Sequence, residues 1–218
     1  MVVYSITWRY RIGDAMRVLE LFAGTGSVGR VARNFGHEVV SLDRAMDADI
    51  RCDVMLWDYK TFERGHFDVI WASPPCTEYS SAKTVGVRRL AEANDVVMRT
   101  LDIIDHLHPK YWILENPQTG LLKRQFFMTS LPYDDVDYCR YGTGYRKRTR
   151  LWHNTPWKPR PLCKGDCGSV VDGRHREVAQ RGPGRGANGA RERGQRHTQR
   201  ELYRVPEALL EEIWGALE

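Results

Sequence analysis

Apolar residues gather along this chain in short runs, each closed by glycine, proline or an acidic residue. Val18, Leu19, Leu21 and Phe22 form the first, within residues 17–22, which breaks into Gly24-Thr25-Gly26. Val39, Val40 and Leu42 form the second, from Glu38, closing on Asp43. Phe67 to Ala72 runs into Pro74-Pro75, and Tyr111 to Leu114 closes on Glu115. Runs this dense in apolar residues predict strands buried on both faces of a sheet. Between them, Ser27 to Phe35 stops at Gly36, and Leu90, Val97, Leu101, Ile104 and Leu107 repeat at helical spacing before Pro109. Both segments predict helices. Strands alternating with helices imply an α/β fold, with a mostly parallel sheet, helices on both faces and right-handed crossovers. In such sheets ligands sit beyond the carboxyl ends of the strands, where Gly24, Asp43, Ser73 and Glu115 fall.

After Leu122 the pattern changes. Asp137 to Tyr141 and Thr149 to Trp152 read as short strands flanking Gly142-Thr143-Gly144, a hairpin-like excursion. Residues 154–200 have little periodicity, and Arg181 to Gly194 is rich in Gly and Arg with almost no apolar content, a composition that does not fold alone. Pro206 opens a last helix whose Leu209, Leu210, Ile213 and Trp214 form a face fit to pack back on the body. The expected organisation is a catalytic body over residues 1–152, a small, irregular, basic insertion over 153–200, partly disordered, and a returning helix over 201–218. No internal repeat is present.

Charge sharpens that division. The net charge of +5 conceals a basic segment from Arg140 to Arg200, with 16 Lys and Arg against 4 Asp and Glu, on an otherwise acidic chain. A basic flank beside a neutral-to-acidic body suits an enzyme that acts on a polyanion. At 218 residues the chain can bury one full-sized core. It has no apolar run of membrane-spanning length. Met1 to Arg17 lacks the apolar stretch of a secretory signal, so an intracellular, non-secreted protein is expected, with the fold beginning near Arg17. Five cysteines without a regular framework fit a reducing compartment.

Two sites carry candidate chemistry. Glycines at 24, 26 and 29 follow a strand and open a helix, so the backbone can approach a ligand and free amides can face it. That signal alone suits a dinucleotide equally well. Asp43, at the end of the second strand, can accept two ribose hydroxyls, and Phe22 can lie against adenine, which favours S-adenosylmethionine. Asp53 and Asp58 compete for the adenine amino group, and Asp53 is preferred. The second site is Cys76, a thiol held by a stiff Pro74-Pro75 pair, with Glu115 at the next strand end, 39 residues on. A carboxylic acid closing a buried strand is costly without a partner or ligand.

Phe22-Ala23-Gly24, Pro75-Cys76 and Glu115-Asn116, in this order, resemble the DNA cytosine-5 methyltransferases. The likeness extends over roughly residues 17–152. It implies a Rossmann-like S-adenosylmethionine-dependent fold in which Phe22, Ala23, Gly24, Thr25, Gly26, Ser27, Asp43, Asp53 and Pro74 hold the cofactor. Cytosine carbon 5 is a poor nucleophile, so a thiolate must first add at carbon 6 while an acid protonates ring nitrogen 3. Cys76 and Glu115 take those roles. The family's Gln-x-Arg-x-Arg element corresponds to Arg146-Lys147-Arg148-Thr149-Arg150, with Arg146 replacing Gln. Arg150 is then expected on the base carbonyl, and Arg148 beside Glu115 or a phosphate. The target cytosine must be flipped out of DNA to reach the thiol. Two departures stand out. Only about 50 residues separate Trp152 from Pro206, where members carry a large target-recognition domain, and nothing in Leu202 to Leu217 matches the family's Gly-Asn segment. A compact phage- or virus-type enzyme fits best.

Cys163 and Cys167, with Cys139 and His175, could hold a structural zinc ion, with His153 or His197 as substitutes for His175. Three other readings remain open. RNA could replace DNA as substrate. Ser73-Pro74-Pro75 resembles the Asp/Asn-Pro-Pro-aromatic motif of amino-group methyltransferases, although Cys76 stands in the aromatic position. The chain could also be a non-catalytic nucleic-acid-binding protein on the same fold.

Overall fold

The protein is described from a computed structural model covering residues 15–181 and 195–218. The glycine- and arginine-rich stretch after Arg181 and most of the Met1–Arg17 segment lie outside those residues. The body is a six-stranded sheet in the order β2-β1-β3-β4-β6-β5. Strands β1 (Arg17–Leu21), β2 (Glu38–Leu42), β3 (Val69–Ala72) and β4 (Tyr111–Pro117) run parallel. Strands β5 (Tyr133–Asp137) and β6 (Arg148–His153) complete it antiparallel.

The parallel strands are apolar on both faces because both faces are covered. Helix α1 (Ser27–Asn34), joining β1 to β2, packs on one face together with the C-terminal helix α4 (Glu207–Leu217). There Val28, Val31, Leu209, Leu210, Ile213 and Trp214 meet Val18, Trp71, Ile113 and Leu151. Helix α2 (Leu90–Leu107), joining β3 to β4, covers the other face, where Val97, Ile103, Ile104 and Leu107 meet Leu19, Ile70, Leu114 and Trp152. Alternate residues of each strand therefore enter separate cores. Gly29 makes the α1 packing possible, since a Cβ there would lie 2.5 Å from Glu20 Oε2 and 3.0 Å from Val39 Cγ1.

The segment Asp137 to Tyr141 is not the expected strand. The strand is β5, which ends at Asp137, and Tyr138–Tyr141 forms a 3₁₀ turn closed by Gly142 at φ 90°. The apolar pattern misleads because Tyr138, Cys139 and Tyr141 are all buried, and a tight turn can bury successive positions as a half-exposed strand cannot. In β5, Asp135 and Asp137 lie opposite Arg150 and Arg148, so paired charges replace the apolar alternation that marks a strand. The pair β5–β6 is thus the edge of the main sheet.

The described residues between 154 and 203 form small pieces. Strands β7 (Val170–Val171) and β8 (Arg174–His175) make a hairpin, and β9 (Glu177–Arg181) pairs in parallel with β10 (Gln195–His197). Helix α3 (Gln199–Tyr203) starts at a Thr198–Glu201 capping box. Among the described residues, no helix is long and apolar enough to cross a membrane.

Candidate functional site

The carboxyl ends of β1, β2, β3 and β4 open on one edge. After β1 the chain turns sharply. Phe22, Gly24 and Gly26 all have positive φ (59°, 55° and 64°), which for Phe22 is a strained conformation. The turn is closed by the Gly26 amide donating to Ala23 O at 2.8 Å. Gly26 is the N-cap of α1, and no side chain caps the helix there. The turn is thus a small backbone loop feeding a helix N-terminus, suited to an anionic or polar ligand edge.

Asp43, just past β2, accepts from the amides of Gly24 (3.0 Å), Ala45 (2.8 Å) and Met46 (2.9 Å). Burial by itself would raise its carboxyl, but these three amides outweigh it and hold the group below the usual carboxylate range. Asp43 therefore stays charged and ties the β2 end to the glycine turn. Asp53 accepts from Met55 N at 3.0 Å and from Arg44 Nη1 at 3.4 Å and is half-buried, whereas Asp58 is exposed at the start of a 3₁₀ turn. Behind the turn, Glu20 Oε2 accepts from Gly29 N at 3.0 Å. Burial pushes this carboxyl up to about 7, against opposing contributions from the Gly29 amide and Arg33.

The thiol loop leaves β3 beside the end of β4, because Ala72 lies opposite Leu114. The Asn116 side-chain amide donates to Pro74 O at 2.9 Å and fastens the Pro-Pro segment to the strand carrying Glu115. Asn116 Oδ1 is buried with no partner among the described residues, the kind of acceptor a bound ligand satisfies. Burial raises the Cys76 thiol above its ordinary value, the Glu115 carboxylate raises it further, and the Lys147 ammonium opposes both. Cys76, Glu115 and Lys147 thus share one electrostatic environment. The strands position Glu115 and the arginines differently. Glu115 faces the same side as Leu151, while Arg150 lies opposite Asn116, one residue on.

Register explains where the arginine element goes. Arg148 and Arg150 share one face of β6 and make two-pronged pairs with Asp137 (2.7 and 2.9 Å) and Asp135 (2.7 and 3.0 Å). Neither makes a hydrogen bond or ion pair with Glu115, the neighbour expected for Arg148. Lys147, on the opposite alternation, reaches Glu115 Oε1 at 3.5 Å, and the Tyr138 hydroxyl donates to the same oxygen at 3.0 Å. Burial, then the neighbouring carboxylate, keeps the Tyr138 phenol well above its usual range, so it remains a donor. Lys147 Nζ also donates to Leu202 O at 3.0 Å, and Val205 N donates to Ser27 Oγ at 3.4 Å, bringing the C-terminal segment to both sites. Strand alternation within 146–150 was a usable signal for Lys147. Tyr138 had none.

A separate cluster gathers at the turn that follows β5. Cys139, Cys163, Cys167 and His175 offer ligand atoms that all lie within 4.8 Å of one another. His153 instead pairs with Asp134 at 3.3 Å and His197 with Glu177 at 2.9 Å, so neither substitutes for His175.

Comparison with known proteins places the chain in a family. Residues 16–126 match the family described as C-5 cytosine-specific DNA methylase. A protein of Frog virus 3 (isolate Goorha), named a probable DNA (cytosine-5)-methyltransferase, is 37% identical over 220 aligned residues, covering 91% of this chain and 98% of its own length. Among solved structures, a methyltransferase of Entamoeba histolytica superposes with a TM-score of 0.53 at 15% identity, over 69% of this chain and 57% of that one, a likeness of fold. The chain spans little more than half of that structure.

Proposed function

The chain belongs to the C-5 cytosine-specific DNA methylase family, and from that premise we propose that it transfers a methyl group from S-adenosylmethionine to carbon 5 of cytosine in DNA, through a covalent adduct on Cys76. One observation carries the reading: Asn116 fastens the Pro74-Pro75-Cys76 loop to the strand end that bears Glu115, whose carboxylate is held by Tyr138 and Lys147. S-adenosylmethionine, when bound, supplies an electrophilic methyl group. Phe22 to Ser27, Asp43, Asp53 and Pro74 would hold it, with Asp43 presenting a carboxylate kept charged.

The chain's own residues do the rest. In the free site burial and the Glu115 carboxylate keep the sulfur protonated. The thiol proton passes to the Glu115 carboxylate as Cys76 sulfur adds to carbon 6 of a flipped-out cytosine, forming a carbon–sulfur bond, and Glu115 delivers that proton to ring nitrogen 3. Carbon 5, now an enamine carbon, would accept the methyl group, the bound sulfonium leaving as a neutral thioether. Loss of the carbon 5 proton to water, return of the nitrogen 3 proton to Glu115 and cleavage of the carbon–sulfur bond restore the aromatic ring, and the sulfur recovers its proton from Glu115. Lys147 and the Tyr138 hydroxyl hold the Glu115 carboxyl in place. Arg148 and Arg150 reach the base or its phosphate by exchanging their aspartate partners, and the exposed basic residues of 140–200 add salt-dependent, sequence-independent contacts. The enzyme acts inside the cell, on whatever DNA lies there.

A 5-fluorocytosine oligonucleotide tests this, because fluorine at carbon 5 blocks the release step. With S-adenosylmethionine, the wild type should form a stable adduct by intact mass, and Cys76→Ser none. DNA and RNA oligonucleotides of matched sequence, run in parallel, decide the substrate. Tight DNA binding without adduct on any cytosine substrate would favour a binding protein and defeat the proposal.

A further inference from the structure

Between the basic segment and the sheet edge lies a cluster that methyl transfer does not use. Cys139 belongs to the 3₁₀ turn after β5, Cys163 and Cys167 to the loop beyond Trp157, and His175 to β8. Their ligand atoms lie within 4.8 Å of one another, with the Cys163 and Cys167 sulfurs 3.6 and 3.4 Å from His175 Nε2. A tetrahedral zinc ion with Zn–S of about 2.3 Å and Zn–N of about 2.05 Å gives an S···N edge of about 3.6 Å. The spacing is that of ligands around a shared ion. Three thiols and an imidazole are a soft donor set, which excludes magnesium and calcium and suits zinc.

The local backbone is arranged for this. Asp172 and Gly173 have φ of 49° and 73°, the two left-handed residues of a tight hairpin turn, and the hairpin presents His175. Gly165 N donates to Cys163 Sγ at 3.4 Å, a bond that stabilises a thiolate. Arg140 is drawn to the same loop through Leu162 O (3.3 Å) and Asp166 Oδ1 (2.5 Å), placing a fixed cation beside the sulfurs. Cys163 is the only buried residue between 158 and 176, so this segment has no apolar core to hold it.

The cluster is also wired to the methyl-transfer site. Cys163 N donates to Asp137 Oδ2 at 3.0 Å, and Asp137, wholly buried, carries the two-pronged pair to Arg148. Cys139 follows Tyr138, whose hydroxyl bonds Glu115, within one 3₁₀ turn. We propose that Cys139, Cys163, Cys167 and His175 bind a structural zinc ion that pins residues 158–176 to the sheet edge and thereby holds Tyr138 on Glu115. The zinc site stands on its own geometry, and only its link to Glu115 rests on the functional reading above.

Protein purified without a histidine tag and under reducing conditions should carry about one zinc per chain by elemental analysis. The Cys163→Ala/Cys167→Ala double variant should carry none, and Cys52→Ala should keep it. A double variant can lose its fold along with its metal, so a second measurement uses the wild type. Cobalt(II) exchanged into it should give the intense visible bands of a tetrahedral thiolate site. Chelating the zinc should then speed amide exchange in peptides covering 138–141 and 158–176 by about tenfold or more, leaving β1 to β3 unchanged. Absence of metal from reduced wild type, iron in place of zinc, or a disulfide among the three cysteines would each overturn the proposal. Unchanged exchange at 138–141 after zinc removal would overturn the link to Glu115. None of these readouts needs methyl transfer, so their failure and the failure of the functional reading are distinguishable.

Discussion

The sheet has two halves built by different physics. In the parallel half, β1 to β3, apolar side chains fill both faces, and strand ends present a backbone turn whose shape follows from packing. Glu20 is the one buried acid there, and it serves the same packing by accepting the Gly29 amide. In the antiparallel half, β4, β6 and β5 carry Glu115, Asp135, Asp137, Arg148 and Arg150, with Lys147 just before β6, and opposite charges pair across the strands. On the function proposed above, the difference teaches that the side holding a small cofactor can be shaped by a core. The side meant to meet a nucleic acid cannot, since it must keep polar groups at its surface and fix them through partners.

Substitutions should divide along that line. The largest effect is expected at the acid itself: Glu115→Gln should slow single-turnover methyl transfer by about 10²–10⁴-fold while thermal unfolding changes little. A loss below tenfold would remove Glu115 from the proton-donor role. Next, Arg148→Ala strands the wholly buried Asp137, and should cost about 3 kcal/mol in urea unfolding. A cost under 1 kcal/mol would mean the charge ladder is ornamental and the two halves are not so different.

In the parallel half the test is pH. The Glu20 carboxyl, at about 7 when folded against an ordinary value of 4.5, binds its proton more tightly in the native state. Its contribution to stability is full below pH 4.5 and is lost as pH rises through about 7, up to about 3 kcal/mol. Glu20→Gln should flatten unfolding free energy between those limits, and an unchanged slope would contradict the assignment. The smallest effect belongs to the exposed pair Arg30–Glu207, where Arg30→Ala should change stability by less than about 1 kcal/mol despite joining α1 to α4.

Much of this was legible beforehand. The strands β1 to β4, the helices α1, α2 and α4, and the glycine turn all announced themselves through apolar periodicity and breakers, because each is buried on a predictable face. That Cys76 and Glu115 fall at adjoining strand ends could be read beforehand because strand ends in parallel sheets converge on one edge. β5 was missed because its aspartates hide a strand behind cross-strand pairing. Arg148 was expected beside Glu115 or a phosphate, and Lys147 stands beside Glu115 instead, because which alternate residue of 147–150 faces β4's acid depends on register, and register is a relation between strands rather than a property of either.

By itself, the sequence determined the parallel body, the order of its motifs and the family they announce, since burial and turn chemistry act within a few residues of each position. Only the tertiary structure decided which cations meet which carboxylates, that Tyr138 shares the Glu115 oxygen, and that four ligands spread over residues 139–175 close on one point. Those outcomes depend on strand register and on loops returning across the sheet, distances the linear chain does not encode position by position.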